Sequence, residues 1–172
     1  LAGAAPATAL AINMHLVWTG VAKVFSDRGV PGLEFVQDGA VAGEVFAFGI
    51  SEGGNDLVLF GSDTAAVPDG AGGYAFTGTK IFTSLAPVWT RLVTFGRDDD
   101  HPDGPRLVHG VVDRADGGVT TKDDWDTLGM RATQSCTTVL DGAYARPDRV
   151  VRALPPGPSA DPSVFEIARA RV

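Results

Sequence analysis

The chain has 172 residues, of which 44% are apolar, and 21 acidic against 14 basic residues give it a net charge of −7. This length and composition suit one globular unit with a real core and exclude a disordered chain. No window gathers Lys and Arg into a stripe that could neutralise a phosphate backbone, which excludes nucleic acid as a partner. No apolar run reaches the roughly 20 residues of a membrane span. The single cysteine, Cys136, leaves no intrachain disulfide, and this suits a cytoplasmic protein.

Two helices are predicted at the start of the chain. From Ala7 to about Asp27, apolar side chains recur at spacings of three and four, which is typical of a helix with one buried face. These side chains are Leu10, Met14, Val17, Trp18, Val21 and Phe25. Gly29 ends this helix, and a shorter helix is predicted over Pro31–Gly39, with proline in its first turn.

After Gly43 the sequence becomes a series of short β-branched or aromatic runs separated by Gly, Pro and Asp clusters. Seven strands are predicted: Val45–Ile50, Leu57–Asp63, Gly73–Thr83, Arg91–Gly96, Arg106–Asp113, Val119–Trp125 and Ser135–Tyr144. Strands at this spacing predict an antiparallel barrel or sandwich. A proline-rich connector follows Val151, and a further helix is predicted over Val164–Val172.

The histidines and the cysteine do not indicate a reactive site. Neither His101 nor His109 has a carboxylate or a second His at the i+4 spacing that aims two ligands at one ion, so no metal site is predicted. His15, on the first predicted helix, is interpreted as a core or interface residue, with a ligand cleft as the alternative. Cys136 lies in a predicted strand with no His near it in sequence, which favours a buried inert thiol.

A polar turn, "SEGGND" at residues 51–56, separates two apolar runs. Its glycines accept the positive φ values of tight turns, so a plain hairpin is one interpretation. The turn also concentrates hydroxyl, carboxylate and amide groups at one strand end, where a cradle for a polar ligand would put them.

The strand at residues 72–84 carries both aromatic and hydroxyl groups. Period two predicts that one face is formed by Tyr74, Phe76, Gly78, Lys80, Phe82 and Ser84. Gly78 in mid-strand indicates a bulge or a close backbone approach. Phe82 followed by two hydroxyls gives an aromatic plane beside hydrogen-bond donors, which suits a flat heteroaromatic ligand. The alternative is a solvent-facing strand that carries Tyr74 and Lys80.

Four segments, in this order, resemble motifs of the acyl-CoA dehydrogenase superfamily of flavoproteins: "SEGGND" (51–56), "GYAFTGTKIFTS" (73–84), "GMRAT" (129–133) and "ARPDRVV" (145–151). The resemblance covers roughly residues 45–151. It implies an α+β fold of the acyl-CoA dehydrogenase type, with a small antiparallel β-barrel or sandwich domain at 44–151. The end of an N-terminal helical domain (1–43) precedes it, and a linker with the start of a C-terminal helical domain (152–172) follows it; most of that last domain is absent from this chain.

The resemblance implies that FAD is wedged between the β domain and the C-terminal helical bundle. It assigns eight residues to the cofactor: Phe48, Ile50, Ser51, Gly54, Asn55, Phe82, Thr83 and Ser84. Ser51 would donate to the pyrimidine side of the isoalloxazine, where negative charge develops when the flavin accepts hydride. Phe82 would pack on the ring, and Ser84 or Thr83 would hydrogen-bond its edge. Asn55 would also contact the acyl-CoA substrate.

Glu52 is interpreted as a structural acceptor for backbone N–H groups in the turn. The resemblance places the catalytic carboxylate in the C-terminal bundle, so no residue of this chain is assigned as catalytic.

The predicted function is FAD-dependent α,β-desaturation of an acyl-CoA thioester, as in fatty acid metabolism, by α-proton abstraction and β-hydride transfer to flavin N5. Electrons would pass to an electron-accepting flavoprotein or another acceptor, and a homo-oligomer, either a dimer or a tetramer, is expected. A chain that begins on Leu1 and stops at "ARARV" is interpreted as part of a longer enzyme. Two alternatives stay open: a reduced-flavin monooxygenase of the same superfamily, to which Asn55 and the short turn point, and a β binding module without flavin.

Overall fold

The computed structural model describes residues 2–57 and 60–157. Two helices come first, α1 (Pro6–Asp27) and α2 (Glu34–Val41). The strands are β1 (Phe46–Gly49), β2 (Ala65–Pro68), β3 (Tyr74–Thr83), β4 (Arg91–Asp98), β5 (Arg106–Asp113), β6 (Val119–Thr121), β7 (Cys136–Ala145) and β8 (Val150–Leu154). Short 3-10 helices lie at Arg114–Asp116, Arg131–Thr133 and Pro147–Arg149. Neither α1 nor α2 combines the length and sustained hydropathy that a bilayer-crossing helix requires.

The strands form one mixed sheet in the order β6-β7-β3-β2-β4-β5-β8, and β1 pairs with β4 beside this path. Most neighbouring strands are antiparallel. However, β1 runs parallel to β4, and β2 meets β4 in parallel through Ala65 and Arg97. The prediction of an antiparallel sheet is therefore wrong at β4, because the chain crosses over from β1 to β4 with the β2–β3 hairpin in between.

The sheet folds over on itself, so its two halves face each other as in a sandwich. Phe76 of β3 is fully buried, and a Cβ built on Gly110 of β5 would lie 3.1 Å from its ring, although two strands separate β3 from β5 in the sheet. The interior between the two halves is filled by Ala47, Ala66, Tyr74, Phe76, Trp89, Leu92, Val108, Val112, Leu140, Ala143 and Ala145. Because β6 and β8, the two ends of this strand path, do not pair with each other among the described residues, the fold is the sandwich form of the predicted barrel or sandwich.

A second core joins the helices to the outer face of β1, β4 and β5. It consists of Trp18, Val21, Ala22, Leu33, Val36, Phe46, Val93 and Val111. Neighbouring strand residues divide between the two cores: Leu92 faces the sandwich interior and Val93 faces the helices. This alternation is the period-two pattern of a strand that is covered on both sides.

Several predicted elements are confirmed and others are displaced. The long first helix and the strands at 73–83, 91–96, 106–113 and 135–144 are present to within a few residues. The prediction of a strand over Leu57–Asp63 is wrong in the described part of that range: Leu57 and residues 60–63 form no strand, Asp63 N donates to Glu52, and the next strand begins at Ala65. The second helix starts at Glu34 instead of Pro31, and β6 ends at Thr121 instead of Trp125.

Strand β8 was not predicted; it occupies the "VV" end of the last motif and the first part of the predicted connector. The predicted helix over Val164–Val172 lies outside the described residues. The division into segments 1–43, 44–151 and 152–172 stays a prediction.

Candidate functional site

The turn that follows β1 is organised around one carboxylate, Glu52, which is only 8% exposed. Six donors reach it: Asn55 Nδ2 (2.7 Å), Ser62 Oγ (2.7 Å), Asp63 N (2.8 Å), Thr64 N (3.0 Å), Thr64 Oγ1 (2.6 Å) and Lys80 Nζ (2.5 Å). The prediction that Glu52 accepts backbone N–H groups is confirmed. Since the donors come from both ends of the 52–64 segment, the carboxylate ties the turn to itself and to β3.

Lys80 is the fully buried partner of that carboxylate. Its ammonium donates to Glu52 and, at 2.8 Å, to the carbonyl of Phe95, and it lies 4.7 Å from the centre of the Phe95 ring. Burial alone raises the pKa of Glu52, but hydrogen bonds from Lys80, Thr64 and Asp63 outweigh it and bring that pKa down to about 2. Burial lowers the pKa of Lys80, and the Glu52 carboxylate opposes that change. The alternative of a solvent-facing strand is wrong at Lys80, which shares the period-two face of buried Phe76.

Gly78 marks a close backbone approach, as predicted. A Cβ at this position would lie 2.8 Å from the Cα of Thr64 and 2.4 Å from its hydroxyl. A register shift between β3 and β7 occurs just before it, between Phe76 and Thr77. The absence of a side chain therefore lets the far end of the Glu52-centred turn lie directly on β3.

At the end of β3 the alternation of buried and exposed side chains is reversed. A second register shift separates Lys80 from Thr83, and Phe82 has a φ of 59°. As a result Phe82 is 59% exposed and Thr83 is fully buried. The period-two prediction that Phe82 shares a face with Phe76 and Lys80 is therefore wrong. The exposed ring contacts only the edge of Trp125 among the described aromatic rings, with centroids 6.1 Å apart.

Left-handed backbone conformations gather at this same place. Among the described residues, the non-glycine residues with positive φ are Phe82 (59°), Leu85 (65°), Met130 (58°) and Gln134 (47°). All four lie in two segments that hydrogen-bond to each other, Leu85 N to Thr133 O (3.0 Å) and Ala86 N to Gln134 O (3.1 Å). Such conformations cost on the order of 1 kcal/mol per residue and cluster at functional sites.

The predicted cofactor residues fall into two groups. Ser51 lies next to the end of β3, because its carbonyl accepts the N–H of Ile81 at 2.8 Å. Phe82, Thr83 and Ser84 follow directly along the chain, so the structure brings these four residues together. Ile50, half-buried, leads into Ser51.

The remaining predicted cofactor residues, Phe48, Gly54 and Asn55, belong to the packing of α1 or to the turn itself. Phe48 packs edge-on against Trp18 of α1, with ring centroids 5.2 Å apart. Gly54 is exposed at the tip of the turn, with a φ of 84°. Both N–H bonds of the Asn55 amide are used, one on Glu52 and one on Gly61 O (3.0 Å), and its oxygen accepts from Leu57 N. The side chain of Asn55 thus builds the turn, and its predicted contact with a substrate stays a prediction.

Histidine and cysteine side chains are engaged in structure. His15 accepts the N–H of Phe46 through Nδ1 at 3.2 Å, which joins α1 to β1. His109 packs on Phe95, and burial lowers its pKa, with the charges of Arg152 and Lys80 acting in the same direction. His101 caps its own loop by accepting Asp103 N. Cys136 is buried, as predicted. In the described part of the chain no three His, Cys, Asp or Glu side chains are grouped to hold a metal ion.

These groups fit a flat heteroaromatic ring such as a flavin. An exposed phenyl plane at Phe82, the Ser51 turn and a buried pair of serine hydroxyls, Ser84 and Ser135, lie at one end of the sheet. A flavin needs an apolar surface for its ring and hydrogen-bonding groups for its nitrogen and oxygen edge. The sequence motifs indicated candidate cofactor residues in and after β1 and β3. They did not indicate the hydroxyls of Thr133 and Ser135, which follow the "GMR" segment and lie beside Ser84.

The chain has an acyl-CoA dehydrogenase-like fold. No family model matches the sequence. The solved structure of KijD3 in complex with FMN and dTDP-3-amino-2,3,6-trideoxy-4-keto-3-methyl-D-glucose superposes with a TM-score of 0.74 at 34% identity. The match covers 87% of this chain and 36% of that one.

Two curated relatives make the similarity more specific. L-evernosamine nitrososynthase from Micromonospora sp. is 36% identical over 93 residues, which is 54% of this chain and 22% of that protein. Dibenzothiophene monooxygenase from Rhodococcus qingshengii is 37% identical over 90 residues, or 52% of this chain and 22% of that protein. The chain spans about a fifth of the length of these relatives. The similarities support the superfamily resemblance and favour its monooxygenase alternative over acyl-CoA desaturation and fatty acid metabolism.

Proposed function

We propose that this chain is the central part of a flavin-dependent monooxygenase that oxygenates a nitrogen or sulfur atom of an organic substrate. The observation that carries the proposal is the 36–37% identity, over half of the chain, to a nitrososynthase and a dibenzothiophene monooxygenase. When bound, reduced flavin would supply two electrons and two protons, so that one atom of dioxygen enters the substrate and the other leaves as water.

The residues of this chain would form one wall of the flavin site. The exposed Phe82 ring is suited to packing against the isoalloxazine, and the turn at Ser51 is suited to hydrogen-bonding its polar edge. The buried Glu52–Lys80 pair would hold that turn in place without touching the ring. FMN is the flavin that we propose, in place of the FAD implied by the sequence motifs, because the similar KijD3 structure contains FMN.

The monooxygenase needs partners of a different kind from a dehydrogenase. Reduced flavin has to be supplied continuously, so we propose a flavin reductase as the electron donor instead of an electron acceptor. A heteroatom-bearing aromatic compound or an amino sugar nucleotide takes the place of acyl-CoA. The cytoplasmic location and the homo-oligomer stay predictions.

The test uses the full-length protein with FMN, an NADH-dependent flavin reductase and isotopically labelled dioxygen. Dibenzothiophene and an amino sugar nucleotide serve as probe substrates, and mass spectrometry measures label in the product. One labelled oxygen atom per oxygenated product supports the proposal. Loss of flavin absorbance on anaerobic addition of an acyl-CoA, with no oxygenated product, would return the assignment to α,β-desaturation. A folded protein that binds neither FMN nor FAD would contradict both functions and favour the binding module.

A further inference from the structure

Three buried threonine hydroxyls have no hydrogen-bond partner in the described part of the chain. They belong to Thr83 at the end of β3, Thr121 at the end of β6 and Thr138 on β7. Thr83 and Thr138 are fully buried, and Thr121 is half-buried with its hydroxyl oxygen shielded from solvent. Across residues 2–57 and 60–157, five buried side-chain nitrogen or oxygen atoms lack a partner, and these three are the only hydroxyls among them. The unpartnered hydroxyls are therefore confined to three adjacent strands.

The strand register places the three hydroxyls on one face of the sheet. Thr138 is directly opposite Thr121 of β6. Thr83 is opposite Cys136, which is two residues before Thr138 on β7. Opposite residues of antiparallel strands share a face, and so do residues two apart along a strand. This face is the interior of the sandwich, because Leu140, two residues after Thr138, belongs to the interior core.

One charged residue on this face, Lys80, is committed to other partners. It is directly opposite Thr138 and fully buried. Its ammonium donates to Glu52 Oε1 (2.5 Å), Phe95 O (2.8 Å) and Ser62 Oγ (3.3 Å). An ammonium has three N–H donors, so none is left for the threonine hydroxyl. Buried polar groups are nearly always hydrogen-bonded to protein or to ordered water, and these hydroxyls therefore call for a partner.

The sheet is irregular at the same place. The register of β3 and β7 shifts between Lys80 and Thr83, where two residues of β3 face one residue of β7. A bulge of this kind interrupts the ladder and bends the strand. Thr83 lies on one side of the bulge, and Thr138, opposite Lys80, lies on the other. The bulge and the unpartnered hydroxyls are two separate observations that mark the same place.

We infer that the inner face of β3, β6 and β7 is a binding site for internal water, in which one water molecule bridges Thr121 and Thr138 and the same cluster reaches Thr83. Opposite residues have Cβ atoms about 5 Å apart, and a water molecule spans roughly 5.5 Å between two oxygen atoms. A hydroxyl both donates and accepts, so water pairs with it in either orientation. Buried water makes about three hydrogen bonds to otherwise unsatisfied groups, which matches this set. The water site does not depend on flavin binding.

The experiment replaces Thr138 with valine, which removes the hydroxyl and keeps the shape of the side chain. Oxygen-17 magnetic relaxation dispersion of the full-length protein counts long-lived internal water molecules, and Thr138→Val is expected to hold one fewer than the unmodified protein. Loss of a hydrogen bond to water should also raise the unfolding equilibrium constant roughly fivefold in urea denaturation. An unchanged water count would overturn the inference. The same holds for a variant that keeps its water and is more stable, because removal of an unpaired buried hydroxyl is stabilising.

Thr94→Val is the matched control. Thr94 is also a fully buried threonine on a strand, but its hydroxyl donates to the Gly49 carbonyl at 2.7 Å. This variant should lose stability through a broken protein hydrogen bond and keep the full number of internal water molecules. An equal loss of water in Thr94→Val would mean that the count responds to any change in the core, and it would overturn the assignment to Thr138.

Thr121→Val tests whether two hydroxyls share one water molecule, and it decides the question if Thr138→Val fails to fold. Either single substitution removes a shared bridge, so each single variant and the double variant should lose the same one water molecule. The double variant should then lose less stability than the sum of the two single losses. Strictly additive losses, with two water molecules missing from the double variant, would contradict the bridge between Thr121 and Thr138.

Discussion

The two strand pairs that contribute most to the sandwich are built differently. In β4 and β5, every residue from Arg91 to Asp98 has a partner between Asp113 and Arg106, and the register never shifts. In β3 and β7 the register shifts twice, once between Phe76 and Thr77 and once between Lys80 and Thr83. Regular pairing gives a stable scaffold, whereas irregular pairing re-aims side chains at a strand end. The second pair is the one that carries the candidate site.

The largest effect on stability is expected when the Glu52–Lys80 ion pair, which holds the turn against β3, is broken. Lys80→Met leaves Glu52 buried with no opposite charge, which is expected to lower the free energy of unfolding by about 3–5 kcal/mol. Urea denaturation measures this loss. The double variant Lys80→Met with Glu52→Gln is the control, since it removes both charges and should recover part of the stability. A single variant as stable as the unmodified protein would show that the pair does not hold the turn.

The same pair makes the stability depend on acid pH, and this dependence differs between the unmodified protein and Lys80→Met. The folded pKa of Glu52, about 2, lies below its ordinary value of 4.5, so its stabilising contribution is complete above pH 5 and disappears as the pH falls from 4.5 towards 2. In Lys80→Met, protonation relieves the unpaired charge, and the deficit relative to the unmodified protein should shrink over this range. Urea denaturation at pH 3 and pH 7 measures both trends; a deficit that grows at pH 3 would contradict the assignment.

A cavity in the regular half is expected to cost stability without changing the site. Leu107→Ala on β5 removes a side chain that is 3% exposed, and its expected cost is about 3 kcal/mol. Flavin binding at a temperature where the variant stays folded should equal that of the unmodified protein. A loss of flavin affinity as large as the loss of stability would show that the β4–β5 pair and the β3–β7 pair do not act independently.

The smallest effect concerns the backbone of Phe82, and two variants isolate it. Phe82→Ala and Phe82→Gly both remove the exposed ring, but only glycine adopts the φ of 59° without strain. Phe82→Gly is expected to be about 1 kcal/mol more stable than Phe82→Ala, and both should bind flavin more weakly than the unmodified protein. Thermal unfolding and fluorescence titration measure the two quantities. Undiminished flavin affinity in both variants would remove Phe82 from the site.

Patterns that depend on a regular period were predictable from the sequence. The spacing of Trp18 and Val21 gave the long helix, and the mid-strand glycine, Gly78, gave the close approach. Local bulges were not predictable, since one extra residue before Thr83 inverts the faces of Phe82 and its neighbours.

Pairing between distant segments was also beyond the sequence. Ser84 and Ser135 are 51 residues apart, and neither segment alone predicts their hydrogen bond. The parallel pairing of β1 with β4 was hidden for the same reason, because short apolar strands do not specify their direction.

That parallel pairing has a consequence for how the molecule folds. Phe46 of β1 and its partner Arg91 of β4 are separated by 45 residues, and the intervening chain, which contains β2 and β3, forms a loop that must close before the two strands pair. Closing so long a loop costs entropy before any contact offsets it, which slows the step. We therefore expect the Ser51 turn to acquire its native geometry late. Pulsed hydrogen exchange of the Ile81 amide, which donates to the Ser51 carbonyl, would follow that step, and early protection of this amide would contradict the order.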